Sequence, residues 1–287
     1  MPMTKHRVKC PDVGEGASGF HDMAYVEWGD PSNARVLICV HGLTRNGRDF
    51  DVLAAALQDD YRVICPDVAG RGRSDWLTDP AHYGPVQYDA DMNALIAQLD
   101  AVSVDWIGTS MGGIIGMVMA ATPENVIRRM VLNDVGPCIP KAALERIGTY
   151  VGHPPVFDDV AELEAYLRQV HAPFGDLTDA QWAHMAAHGG RPVEGGWTLG
   201  YDPDIALPFM GDGALQDVEM WALWDAIECP TLALRGEASD LLLADTAAEM
   251  ATRGPKADLV TIPGCGHAPA LMADEQINVI RDWLAPD

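Results

Sequence analysis

The stretch Asp105-Trp106-Ile107-Gly108-Thr109-Ser110-Met111-Gly112-Gly113 forces a corner on this chain. Before it, the apolar run 102–107 reads as a strand; after it, residues 114–121 read as a buried helix. The corner is G-x-S-x-G in a strand–turn–helix context, the setting of a nucleophile elbow. A side chain at Gly108 or Gly112 would collide with the neighbouring strand or helix, so glycine is needed on both sides of Ser110. The helix aims its first N–H groups and its positive dipole end at the corner. The N–H of Met111 is then placed to bind a developing oxyanion. A bare G-x-S-x-G recurs by chance in a glycine-rich chain, so the flanking strand and helix carry the weight of the reading.

The rest of the chain supplies a sheet for that corner. Residues 20–28 suit early antiparallel strands, and Asp30-Pro31-Ser32-Asn33 is a turn. Residues 35–40 are continuously apolar, the mark of a strand buried on both faces of a parallel sheet, and end in His41-Gly42-Leu43-Thr44. A helix at 51–57 and a strand at 62–65 follow, closed by Pro66-Asp67 and the loop 70–75. Tyr88, Met92, Leu95, Ile96 and Leu99 recur at helical spacing, and 130–132 is the strand after the elbow helix. Strands alternating with helices predict a mostly parallel, doubly wound α/β sheet.

The alternation breaks between Cys138 and Asp225, where 14 Asp and Glu stand against four Lys and Arg among many Gly and Pro. This reads as an inserted helical lid. The strand pattern resumes at 230–236 and 258–262, and a closing helix spans 274–284. The 287 residues therefore divide into a core of 1–137 and 226–287 and a lid, or cap, of 138–225.

A net charge of −23 disfavours nucleic acid and anionic membranes, because the long-range field repels phosphate. No apolar run approaches the ~20 residues of a membrane span, and the first ten residues lack a secretory apolar segment. Cys10, Cys39, Cys65, Cys138, Cys229 and Cys265 form no C-x-x-C pair; Cys39 and Cys65 sit in predicted strands as small apolar fillers. The expectation is reduced thiols in a cytoplasm.

A serine hydroxyl is a weak nucleophile that needs a base, and the base needs a group to fix its tautomer. In an elbow fold these follow in the order serine, acid, histidine. His267 closes the last strand in a glycine-rich turn, and Asp240 lies just past the preceding strand in Arg235-Gly236-Glu237-Ala238-Ser239-Asp240. Both loops leave carboxyl ends of parallel strands, where such sheets bind ligands.

These pieces, together with His41-Gly42 and Asp67-x-x-Gly70-Arg71-Gly72-Arg73-Ser74, resemble the α/β-hydrolase family over nearly the whole chain. The resemblance implies the α/β-hydrolase fold with Ser110 as nucleophile, His267 as base then acid, and Asp240 as the residue that orients it. It puts the backbone N–H groups of Leu43 and Met111 in an oxyanion hole. Serine at 110 argues against the haloalkane-dehalogenase and epoxide-hydrolase members, which carry Asp at the elbow. Asp134, after the strand that follows the elbow, is a second position where such enzymes keep the acid; Asp240 is preferred over it, and Glu237 is assigned to solvent.

His41 precedes the serine and is expected to hold the oxyanion loop by hydrogen bonds. Arg45, Arg48, Arg71 and Arg73 gather near the mouth, either to draw a carboxylate substrate or, more commonly, to pin loops through carboxylate pairs. His184 and His188 have the i, i+4 spacing of a zinc helix without its Glu, so no metal is expected. Trp182, Trp197, Met210, Trp221 and Trp224 are candidates for an acyl pocket or for the lid's own core.

The predicted chemistry is hydrolysis of small to medium carboxylic esters through an acyl-enzyme on Ser110, with the lid setting access and no cofactor. The partner is a small-molecule ester; homo-oligomerisation is left open. The alternative within the fold is a carbon–carbon bond or enol-lactone hydrolase, whose members share the Ser110-Met111-Gly112-Gly113 elbow; a perhydrolase side activity would use the same triad. The competing class is a ligand-binding protein on a hydrolase scaffold.

Overall fold

The continuous apolar runs of the sequence become the middle of one eight-stranded sheet in a computed structural model that describes residues 2–209 and 215–285. Its strands are β1 (Thr4–Pro11), β2 (Phe20–Trp28), β3 (Val36–Val40), β4 (Arg62–Pro66), β5 (Val104–Thr109), β6 (Ile127–Asn133), β11 (Thr231–Gly236) and β12 (Asp258–Ile262). The spatial order is β1-β2-β4-β3-β5-β6-β11-β12. The β1–β2 and β2–β4 pairs are antiparallel, and every later pair in that order is parallel. The elbow strand begins at Val104 rather than Val102 because Val102 stands 93% exposed beyond the sheet.

Both faces of the middle of the sheet are covered, which is why β3 is apolar and buried throughout while the edge strand β1 is polar and mostly exposed. Trp106 of β5 packs into one core and its neighbour Ile107 into the other. The first core receives α2 (Pro85–Leu99), through Tyr88, Met92, Leu95, Ile96 and Leu99, and α3 (Met111–Ala120), through Ile115, Met117 and Met119. The second receives α1 (Asp51–Leu57) and α9 (Asp274–Leu284). Each such buried side chain is worth about 1.5–3 kcal/mol relative to exposure. The helix α8 (Ala244–Met250) lies between β11 and β12 in the chain.

Between β6 and β11 the chain leaves the sheet. It forms α4 (Lys141–Gly148), α5 (Val160–Val170), α6 (Asp179–Gly189) and α7 (Trp221–Ala226). Asp159 caps α5, and a Thr178/Gln181 capping box starts α6. This segment also holds two small sheets absent from the helical expectation: β8 (Gly190–Val193) with β9 (Gly196–Leu199), and β7 (Cys138–Ile139) with β10 (Val218–Glu219). The second pair draws the two ends of the segment together beside β6 and β11, which are parallel neighbours. The excursion thus leaves the carboxyl end of β6, and after β10 the chain runs through α7 to re-enter the sheet at the amino end of β11.

Among the described residues, no helix is long and apolar enough to cross a membrane. All six cysteines are unpaired.

Candidate active site

Ser110 sits between β5 and α3 with φ 52° and ψ −115°, a backbone conformation that costs a non-glycine residue free energy. The corner is held because nothing larger than hydrogen fits beside it. A Cβ on Gly108 would fall on the backbone of Gly112, and one on Gly112 would fall on the carbonyl of Val40. The elbow therefore clamps β5, α3 and β3 together, and the Ser110 hydroxyl projects from the turn.

His267 reaches that hydroxyl: its Nε2 lies 2.9 Å from Ser110 Oγ. Its Nδ1 lies 2.8 Å from Oδ2 of Asp134, not of Asp240. Asp134 is fully buried at the end of β6 with φ 58°, a left-handed conformation that Asp tolerates better than most residues. Its carboxylate also accepts the Gly236 N–H at 2.7 Å and the Ser239 hydroxyl at 2.6 Å. Ser239 Oγ in turn accepts the N–H groups of Leu241 and Leu242. A buried carboxylate needs such partners. With Asp134 accepting from Nδ1–H, the proton is kept off Nε2, which is then free to accept from Ser110.

The preference for Asp240 is thereby corrected. Asp240 points away, with its side chain 51% exposed, and its carboxylate takes the guanidinium of Arg146 at 2.5 and 3.0 Å. Leu234 accepts the Asp134 N–H at 2.8 Å, so the two loops start from adjacent parallel strands; only the side-chain directions separate the candidates. Ser239, which holds the carboxylate, was passed over by sequence reasoning, although it lies one residue before Asp240.

His41 does what was expected of it. Its Nδ1 lies 2.7 Å from the Gly42 carbonyl oxygen, and its Nε2 accepts the Val68 N–H at 2.9 Å. The first bond fixes the peptide that joins Gly42 to Leu43, turning the Leu43 N–H to the opposite side. Arg71, fully buried, locks the next peptide: its Nε donates to the Leu43 carbonyl at 2.9 Å and its Nη2 meets Met111 Sδ at 3.6 Å. Nη1 donates to Ala69 and to the Tyr88 hydroxyl. Arg45, Arg48 and Arg73 pair with Asp49, Asp51 and Asp67 and so pin loops. Asp51, His184 and His188 bring their ligand atoms within 4.8 Å of one another, but the Arg48 guanidinium already binds Asp51 and lies 3.5 Å from His188 Nδ1.

A cavity opens over Ser110. The core contributes Leu43, Arg45, His267 and Met272; the excursion contributes Arg146, Ile147, Tyr150, Val170, His171, Phe174 and Met185. None of the tryptophans predicted as pocket candidates lines it among the described residues. Trp182 and Trp224 are buried in the core, and Trp221 stacks under Arg253. Met210 lies outside the described residues.

Burial pushes His41 down to about 4, and burial with the nearby Arg48 and His184 charges takes His188 to about 4 as well. A histidine lowered in the folded chain is protonated first in the unfolded chain. Its contribution is present above pH 6.5 and is lost as pH falls towards 4, which for His41 amounts to about 3 kcal/mol. His21 opposes this trend: burial lowers it, but Asp91 and Asp12 raise it overall, so its contribution is held at low pH. Urea midpoints should therefore drop more between pH 6.5 and 4 in wild type than in His41→Gln. Equal drops would show that His41 is not held neutral.

The sequence profile described as the alpha/beta hydrolase family matches residues 37–279. The 3-hydroxybutyrate-oligomer hydrolase of Cupriavidus necator is 50% identical over 275 residues, covering 93% of this chain and 94% of that one. An α/β hydrolase structure from Novosphingobium aromaticivorans superposes with a TM-score of 0.84 at 39% identity, covering 98% and 97% of the two chains. A Rickettsia typhi crystal structure does so at 0.90 with 34% identity, covering 99% of each chain. The chain is a hydrolase and belongs to the alpha/beta hydrolase family.

Proposed function

We propose that this chain is a serine ester hydrolase acting on short esters of 3-hydroxybutyrate. The observation that carries the reading is the hydrogen-bonded line Ser110–His267–Asp134, at 2.9 and 2.8 Å, on the floor of a cavity with a largely apolar wall. Ser110 attacks the ester carbonyl while His267 takes its proton on Nε2, and Asp134 stabilises the imidazolium through Nδ1. The oxyanion rests on the N–H groups of Leu43 and Met111; the first is aimed by His41 and the second is an unpaired N–H of the α3 N-terminus. His267 then protonates the leaving alcohol, and water repeats the sequence on the acyl-enzyme. Residues 138–225 serve as the lid. The relative from Cupriavidus necator supports the substrate class, because that protein acts on 3-hydroxybutyrate oligomers and matches along nearly its whole length.

The carbon–carbon hydrolase alternative needs an arginine free to take a substrate carboxylate. The two arginines at the pocket are both engaged, Arg45 by Asp49 and Arg146 by Asp240, which favours the ester reading. A binding protein would have no use for a histidine held in the tautomer that accepts a proton from serine.

Two measurements test the proposal. A fluorophosphonate probe should leave a single covalent adduct, located by peptide mass spectrometry on Ser110. The unmodified protein should release 3-hydroxybutyrate from its dimer and trimer, and the modified protein should not. A stable, unlabelled protein with no turnover of these oligomers or of p-nitrophenyl esters would overturn the reading.

A further inference from the structure

The cavity over Ser110 is apolar along much of its wall, through Ile147, Val170, Phe174, Met185 and Met272. Among its described titratable side chains, nearly all are held by a neighbour. His41 is fixed between Gly42 and Val68, Arg45 by Asp49, Arg146 by Asp240, and His267 by Ser110 and Asp134, while the Tyr150 hydroxyl lies beside the Arg146 guanidinium. His171 is different. Its ring packs on Phe174 at 4.5 Å between centroids, and neither ring nitrogen has a hydrogen-bond partner among the described residues.

The backbone around His171 fixes it over the catalytic histidine. Its N–H closes α5 on Leu167, and its carbonyl accepts the Phe174 N–H in a tight turn. Pro173 of that turn accepts the Gly266 N–H at 2.7 Å, and Phe174 accepts the Ala270 N–H at 3.1 Å. Gly266 and Ala270 flank His267, so the turn is stitched to the His267 loop on both sides. A polar group that is placed rigidly, faces the cavity and lacks a partner in the free protein is what orients a ligand in an otherwise apolar pocket.

We propose that His171 is a specificity-determining residue that hydrogen-bonds the oxygen on the β-carbon of the acyl chain, the hydroxyl of a terminal 3-hydroxyacyl unit or the ester oxygen of an internal one. This rests on the ester-hydrolase reading of the site. The charged groups facing His171 are Arg45, Asp49 and His267. Burial, then Arg45, push it down to about 3, with Asp49 pulling the other way and His267 adding to the depression. The ring is therefore neutral at neutral pH, and carries one donor and one acceptor. A hydroxyl can use either; an ester oxygen uses the donor. An acyl chain with only hydrogen at the β-carbon leaves the imidazole desolvated and unpaired, which costs binding.

The test compares kcat/KM for p-nitrophenyl 3-hydroxybutyrate with that for p-nitrophenyl butyrate. Wild type should favour the hydroxy ester by about tenfold or more. His171→Leu should bring the ratio close to one, and His171→Gln, which keeps a donor and an acceptor, should restore part of it. A merely structural role for His171 would lower both esters together and leave the ratio at the wild-type value, which would overturn the proposal. Should His171→Leu not fold, competitive inhibition of wild type by 3-hydroxybutyrate against butyrate gives the same ratio, and equal inhibition constants would overturn it. Fast butyrate turnover in wild type with no preference for the hydroxy ester sinks this inference and leaves the ester-hydrolase reading intact. Loss of turnover on both esters in wild type sinks both.

Discussion

Ser110→Ala lowers kcat on p-nitrophenyl butyrate by about 10⁴- to 10⁶-fold, the range in which removal of a serine nucleophile leaves only binding and oxyanion contacts to act. The protein still folds, because alanine occupies the corner at φ 52° with the same backbone strain as serine. Ser110→Gly is equally inactive but relieves that strain, which costs about 1–3 kcal/mol in a non-glycine residue. Glycine gives part of this back through the greater freedom of its unfolded chain, leaving a net gain of about 1 kcal/mol. Urea midpoints in the order Ser110→Gly above Ser110→Ala, with both variants inactive, would show that the elbow stores strain at the reacting atom. Activity in Ser110→Ala within tenfold of wild type would mean that another group attacks the ester.

The middle of the sheet was legible because β3, β4 and β5 are buried on both faces and α2 carries an apolar stripe. Residues 51–57, 258–262 and 274–284 were placed with the bounds the structure shows. The elbow was legible for a harder reason: Gly108 and Gly112 are demanded by backbone contacts, so the sequence pattern is the steric constraint itself. The excursion was less legible. Its helices have local signals, such as the Thr178/Gln181 box, but which side chains reach the cavity depends on how those helices pack across the sheet. The tryptophans were the natural candidates by size, yet the cavity is walled by Ile147, Val170, Phe174 and Met185. The acid is the sharpest case. Asp134 and Asp240 leave the carboxyl ends of two strands that pair with each other, about 4.8 Å apart, and no period or spacing in the sequence resolves a choice at that scale.

That choice has a large kinetic consequence. Asp134→Asn should lower kcat by about 10⁴-fold, as expected when the orienting carboxylate is replaced by an amide. The amide has one oxygen where the carboxylate has two, and Asp134 serves His267, Gly236 and Ser239 together. If the amide oxygen keeps Gly236, its NH₂ group faces His267 Nδ1 and drives the ring to the tautomer with its proton on Nε2, where it can no longer accept from Ser110. Asp240→Asn should leave kcat within about threefold of wild type. Its pair with Arg146 is half exposed on both sides and is worth under about 1 kcal/mol. Both variants are to be compared at matched folded fractions, since Asp134 is also a buried hub for the loop that follows β11. A 10⁴-fold loss in Asp240→Asn, with Asp134→Asn near wild type, would require the loop after β11 to turn over in solution and would return the acid to the position the sequence favoured.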